Sequence, residues 1–144
     1  MIVQQILKAK ASDQIVLVTP DSKVTEATRL LAEHRIGGLI VSEDGITAVG
    51  ILSERDIVRA LAVIGNNCLD DRVSDLMTPD PVCCDKTESA VSVLAKMTEG
   101  RFRHMPVVEQ GKLVGMVTLG DVVKARLEEL SMEKQALESM VMGF

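Results

Sequence analysis

Two short stretches of the chain carry side chains whose types and spacing suit ligand chemistry. Ser53-Glu54-Arg55-Asp56 and Thr118-Leu119-Gly120-Asp121 each set a hydroxyl three residues ahead of a carboxylate. A carboxylate accepts two hydrogen bonds at once and so matches a vicinal diol. A hydroxyl at the head of a helix leaves backbone N–H groups facing outward, where an anion is favoured. The cations that would complete such a site cluster in Arg101, Arg103 and His104, with Arg55 inside the first stretch. Arginine meets phosphate in a bidentate fashion.

Other chemistries lack their residues. Three cysteines, Cys68, Cys83 and Cys84, are an odd set with two adjacent members. That is neither a disulfide framework nor a metal-binding pair, and it reads as small thiols in a reducing compartment. Cys83 has no base in its local sequence that would make it a nucleophile, so no catalytic residue is expected. His34 and His104 have no partners at ligand spacing, so no metal is expected; His34 reads as a cation at a helix end. A net charge of −5 with no Lys or Arg run does not suit nucleic acid. Two Phe and no Trp or Tyr exclude an aromatic base-stacking platform. No apolar stretch approaches the ~18 residues of a membrane span. Met1 to Lys10 lacks the basic-then-apolar pattern of a secretion signal. A soluble, cytoplasmic protein that contacts no membrane is expected.

The elements that must position these residues come from an internal repeat. Gly50-Ile51-Leu52-Ser53 through Asp56-Ile57-Val58 recurs as Gly115-Met116-Val117-Thr118 through Asp121-Val122-Val123, offset by 65 residues throughout. Upstream, Gly38 to Val41 aligns with Met105 to Val108, and Val24, Ala27 and Leu31 align with Ala90, Val93 and Met97. The spacing predicts, in the first copy, a strand over 15–18 and an amphipathic helix over 23–34 stopped by Gly37 and Gly38. A hairpin of strands 39–41 and 48–52 follows, then a helix capped by Ser53. The second copy predicts a strand over 81–84, a helix over 87–99, a hairpin of 104–108 and 113–117, and a helix capped by Thr118. Gly65 to Asn67 and Asp75 to Asp80 read as linker. One β-α-β-β-α unit cannot bury its apolar sheet face alone, and two packed together can. The expected fold is therefore α/β, two repeats related by a pseudo-two-fold axis with clefts between them.

This pattern resembles the CBS-domain pair, or Bateman module. Gly-apolar-apolar-Ser/Thr-x-x-Asp opens the last helix of each copy, and Gly100-Arg-Phe-Arg-His-Met-Pro-Val-Val108 looks like the family's second-copy signature. The resemblance covers roughly Ile6 to Leu130. It implies an adenosine ligand: AMP, ADP or ATP first, NAD(H) or S-adenosylmethionine otherwise. In the first cleft it implies Ile51, Ser53, Arg55 and Asp56 facing Val82, Cys83, Arg103, His104, Met105 and Pro106. Asp56 would take the ribose, and Arg103, His104 and Arg55 the phosphate. Val82, Met105 and Ile51 would sandwich the base, with Cys83 nearby. In the second cleft it implies Met116, Thr118 and Asp121 facing Val18, Thr19, Ile36, Gly37 and Gly38. Gly37-Gly38-Leu39 replaces the basic and Pro positions of Arg103-His104-Met105-Pro106, so unequal affinities are expected.

The implied organisation is residues 1–66 as the first repeat with an N-terminal helix, 67–130 as the second repeat, and 131–144 as a helical tail. The implied function is a non-catalytic sensor, homodimeric, acting on a protein partner in trans. The alternative is a structural dimerisation adaptor with vestigial clefts. Val123, Leu127, Leu130, Lys134, Leu137 and Val141 step by four and three along the last helix, and Lys124–Glu128 and Lys134–Glu138 are spaced as ion pairs. That stripe fits packing on its own body or contact with a partner.

Overall fold

The computed structural model describes residues 1–10 and 14–143. In chain order the elements are α1 (Val3–Ala9), β1 (Leu17–Val18), α2 (Val24–His34), β2 (Gly38–Val41), β3 (Gly50–Ser53), α3 (Glu54–Val63), a 3-10 turn (Asn66–Asp70), α4 (Val73–Leu76), β4 (Thr78–Pro79), α5 (Ala90–Gly100), β5 (His104–Glu109), β6 (Lys112–Thr118) and α6 (Leu119–Val141). The α/β fold expected from the repeat is present.

Each copy builds a hairpin in matching register. In the first, Gly38 faces Ser53 and Leu39 faces Leu52; in the second, His104 faces Thr118 and Met105 faces Val117, so Gly38 corresponds to His104, one residue off the sequence alignment that set it against Met105. β1 joins β2 in parallel, and β4 joins β3 antiparallel, completing a four-stranded sheet of order β1-β2-β3-β4. The pseudo-two-fold is visible in the backbone. Glu54 N–H donates to the Gly37 carbonyl at 2.9 Å, and Leu119 N–H donates to the Arg103 carbonyl at 2.9 Å.

The two cores do not divide where the repeat boundary in the sequence suggests. Val24, Ala27, Leu31, Leu39, Val41, Leu52 and Ile57 of the first copy pack with Val73 of α4. Ala90, Val93, Met97, Met105, Val107 and Val117 of the second copy pack with Val3 and Ile6 of α1. The N-terminal helix, grouped with residues 1–66 on sequence order, therefore serves the second core. The 66–79 segment, which straddles the expected boundary, serves the first. Correspondences confirm the exchange. The residue ahead of α1 bridges to the residue ahead of α5 (Ile2 with Ser89), and the residue ahead of α4 bridges to the residue ahead of α2 (Arg72 with Lys23). Leu7 lies over Gly115 as Met77 lies over Gly50.

Two local expectations differ. The 81–84 strand reduces to one parallel bridge, Cys84 with Val107, secured by Cys84 N–H to the Pro106 carbonyl at 3.0 Å and Val108 N–H to the Cys84 carbonyl at 2.8 Å. Pro81 has no N–H to extend it. The 75–80 linker instead contributes the end of α4 and β4. Helix α2 ends not at the glycines but at Arg35, in the left-handed conformation with φ 54°, and α5 ends likewise at Arg101, with φ 56°. Left-handed non-glycine residues are uncommon, yet both copies place an arginine there.

α6 buries only Val122 and Ala125. Every described residue beyond Glu129 is exposed, and Lys134 and Glu138 stand 4.0 Å apart on its surface.

Candidate nucleotide clefts

Ser53 and Thr118 end strands and begin helices, so their side chains act first on the backbone. Ser53 Oγ accepts from Asp56 N–H at 3.3 Å, and Asp56 Oδ2 accepts from Ser53 N–H at 2.9 Å and from the Ser53 hydroxyl at 3.0 Å. Thr118 Oγ1 accepts from Asp121 N–H at 3.2 Å, and Asp121 Oδ2 accepts from Thr118 N–H at 2.9 Å. Each pair is a reciprocal capping box that satisfies two terminal donors and fixes the carboxylate at the helix head.

The first cleft encloses about 480 Å³, within the range of small-ligand sites. Ile51, Ser53, Arg55 and Asp56 line one side, and Val82, Arg103 and His104 the other. Three implied members are elsewhere. Met105 is fully buried in the second core, because successive strand residues face opposite ways and His104 takes the cleft side. Pro106 is buried, its carbonyl engaged by Cys84. Cys83 turns its thiol to the Pro81 carbonyl at 3.4 Å. Burial pushes the Cys83 thiol up, and burial and then the Glu88 carboxylate push Cys84 up to about 12. Both thiols are poor nucleophiles in this state.

Arg59, Phe102, Thr78 and Asp80, which the sequence motifs did not single out, complete the first cleft, together with Arg101 of the basic cluster, which the resemblance had not assigned to it. Arg59 was legible as the i+4 neighbour of Arg55 on α3. Arg101 enters because its left-handed backbone ends α5 at the cleft mouth.

The second cleft encloses about 540 Å³ and is lined by Ile36, Gly37, Gly38, Met116 and Thr118, as implied. Val18 is instead buried in the first core, and Val16, just ahead of β1 and only partly buried on that core, lines the cleft. Thr19 pairs with Ser22, hydroxyl to hydroxyl, at 2.6 Å. Asp121 is absent from the lining, while Lys10, Gln14 and Arg35 are present. Arg35 is the counterpart of Arg101, so each cleft receives one helix-ending arginine.

Gly37, Glu54, Arg103 and His104 line both clefts and form the wall between them. Burial holds the His104 imidazole below its ordinary 6.5, against the opposing pull of Glu54 and with help from Arg103. At neutral pH it is uncharged. Burial pushes the Asp121 carboxyl up, but the Thr118 N–H and the Lys10 ammonium outweigh it and hold the group below 3.8.

Among the described residues no group of three or more His, Cys, Asp or Glu is placed to hold a metal. No helix among them is long and apolar enough to cross a membrane.

Comparison with known proteins agrees with this architecture. The CBS domain family model matches residues 3–63 and 73–128. CBSX3, a mitochondrial CBS domain-containing protein of Arabidopsis thaliana, is 33% identical over 141 residues, covering 94% of this chain and 68% of CBSX3. The crystal structure of the CBS-domain protein ATU1752 from Agrobacterium tumefaciens is 40% identical with a TM-score of 0.83, covering 88% of this chain and 99% of that one. CBSX2, solved in complex with AMP, is 34% identical with a TM-score of 0.67, over 79% of this chain and 88% of that one. The CBS pair of MJ0100, solved with 5'-methylthioadenosine and S-adenosylmethionine, is 25% identical with a TM-score of 0.78, over 90% of this chain and 98% of that one. Two matched domains spanning most of the chain, on two capped repeats around shared clefts, make this protein a member of the CBS-domain family, with its two CBS domains in tandem.

Proposed function

We propose that this chain is a regulatory sensor of an adenine nucleotide, that it binds the nucleotide in the first cleft, and that it signals to a protein partner without catalysing a reaction. The observation that carries the reading is the set of four arginines, Arg55, Arg59, Arg101 and Arg103, around one cleft that also presents Asp56. Asp56 accepts from the ribose diol, the arginines and helix α3's N–H groups meet phosphate, and Ile51 and Val82 flank the base. With His104 neutral, the arginines supply the positive charge. This favours AMP, ADP or ATP over S-adenosylmethionine, and NAD(H) shares the same recognition groups. AMP in CBSX2 and S-adenosylmethionine in MJ0100 support the adenosine class.

Calorimetry with AMP, ATP, NADH and S-adenosylmethionine tests it. Heat is expected with a phosphorylated nucleotide and should vanish in Asp56→Ala. Silence with all four compounds removes the sensor reading.

The outer faces of α3 and α6 expose Val58, Leu61, Val123 and Leu127. Apolar rows of this kind support a homodimer, measurable by sedimentation. The same rows favour the adaptor alternative if the dimer forms and no nucleotide binds. Three unpaired thiols support a reducing compartment such as the cytosol.

A further inference from the structure

The two capping carboxylates are built alike and surrounded differently. Asp56 has no ion pair among the described residues; its Oδ2 is engaged only by Ser53. Asp121 Oδ2 accepts from Thr118 N–H at 2.9 Å and also meets the Lys10 ammonium at 2.9 Å. The same ammonium donates to the Met116 carbonyl at 2.9 Å. Both side chains of this pair are only 23% exposed.

The difference follows from the exchange of helices between the cores. α1 stands in the second repeat where α4 stands in the first, with Val3 matching Val73 and Leu7 matching Met77. Beyond that point the two segments diverge, α1 running on to Ala9 and the other turning into β4, and the residue that follows each, Lys10 or Asp80, lines the cleft of its repeat. One repeat therefore brings an ammonium to its cleft and the other a carboxylate. Lys10 lines the second cleft and Asp121 does not; the carboxylate is reached instead from a shallow hollow beside α1.

We propose that Lys10 is the specificity determinant of the second cleft. Its ammonium stands where a ribose diol would otherwise meet Asp121, so the cleft refuses a nucleoside while the ion pair holds. Oδ2 of each carboxylate is engaged twice, but at Asp56 both donors belong to Ser53, whereas at Asp121 one of the two is the Lys10 ammonium, a charged partner that also lines the cleft. A ligand entering there must displace a charge-assisted bond in a half-buried setting, which costs more than meeting an open carboxylate. This inference rests on the nucleotide reading of the first cleft and assigns the difference between the two clefts to one residue.

Calorimetry with AMP on the full chain tests it. The wild type is expected to bind one AMP per chain, and Asp56→Ala to abolish that site. Lys10→Met, which keeps the aliphatic stem and removes the charge, is expected to bind two. Lys10→Met with Asp56→Ala should retain one, and Lys10→Met with Asp121→Asn should return to one. Lys10→Gln provides the same reading if the methionine variant does not fold by circular dichroism. Two equivalent sites in the wild type, or a single site in folded Lys10→Met and Lys10→Gln, overturn the role of Lys10 and leave the nucleotide reading intact. No heat in any variant overturns both.

Discussion

Gly38 and His104 are counterparts, each paired across its hairpin with the capping residue Ser53 or Thr118, and they meet. A Cβ on Gly38 would lie 2.8 Å from the His104 ring, so a side chain at both positions forces the imidazole or the backbone to shift. The repeat breaks its symmetry here, glycine facing imidazole, and that imidazole walls both clefts. Gly38→Ala is expected to cost about 1–3 kcal/mol through overpacking, measured by urea unfolding. In a His104→Ala background most of that cost should disappear, giving a coupling energy in a double-mutant cycle. An equal cost in both backgrounds contradicts the contact. The same burial sets a pH dependence. Because the folded-state pKa of His104 lies below 6.5, the unfolded chain binds the extra proton first as pH falls. The His104 contribution to stability is therefore intact above 6.5 and declines as pH drops toward the folded-state value, below which the loss is complete. Glu54 and Asp56 oppose the shift, while Arg103 and Lys10 reinforce it. Unfolding midpoints between pH 7 and 5 should fall less steeply in His104→Gln than in the wild type, and parallel slopes would count against this assignment.

Helices α3 and α6 both begin with reciprocal capping boxes, and the cap also fixes where the carboxylate points. Removing a hydroxyl cap costs about 1 kcal/mol. Thr118→Ala is expected to lower stability by that amount and Thr118→Ser to restore it, read from denaturant midpoints. No loss in Thr118→Ala would mean that the cap hydrogen bonds contribute nothing net. The C-terminal half of α6 behaves differently. Beyond Ala125 it buries no residue, so its helicity draws on propensity and on i,i+4 pairs such as Lys134 with Glu138, each worth only about 0.2–0.5 kcal/mol.

At the scale of the molecule, the chain crosses between its two lobes. α1 completes the second core and α4 the first, so the N-terminus of the chain and the last strand pair are mutually dependent. Ile6 is almost wholly buried against second-repeat residues. Ile6→Ala should therefore cost about 2–5 kcal/mol. A protein whose repeats were self-sufficient would lose far less, and urea unfolding separates the outcomes. AMP added at ~100 times its dissociation constant should offset about 2.7 kcal/mol of such a loss by mass action.

The sequence alone determined the duplication, the order of elements within each copy and the hydroxyl-carboxylate pairs at the helix heads. All of these are short-range features, written in local periodicity and in a constant offset between copies. It also led to the two clefts through the resemblance those motifs carry. Only the tertiary structure decided which residues line the clefts. Met105 faces its core because strand alternation turns His104 toward the cleft; Val18 is buried in the first core, while Val16, only partly buried on that core, also lines the second cleft. Arg35 and Arg101 reach the clefts through left-handed helix ends that no periodicity announces. Lys10 finds Met116 across 106 residues of chain. Long-range contacts of this kind depend on which helix docks on which core, and local spacing holds no record of that choice.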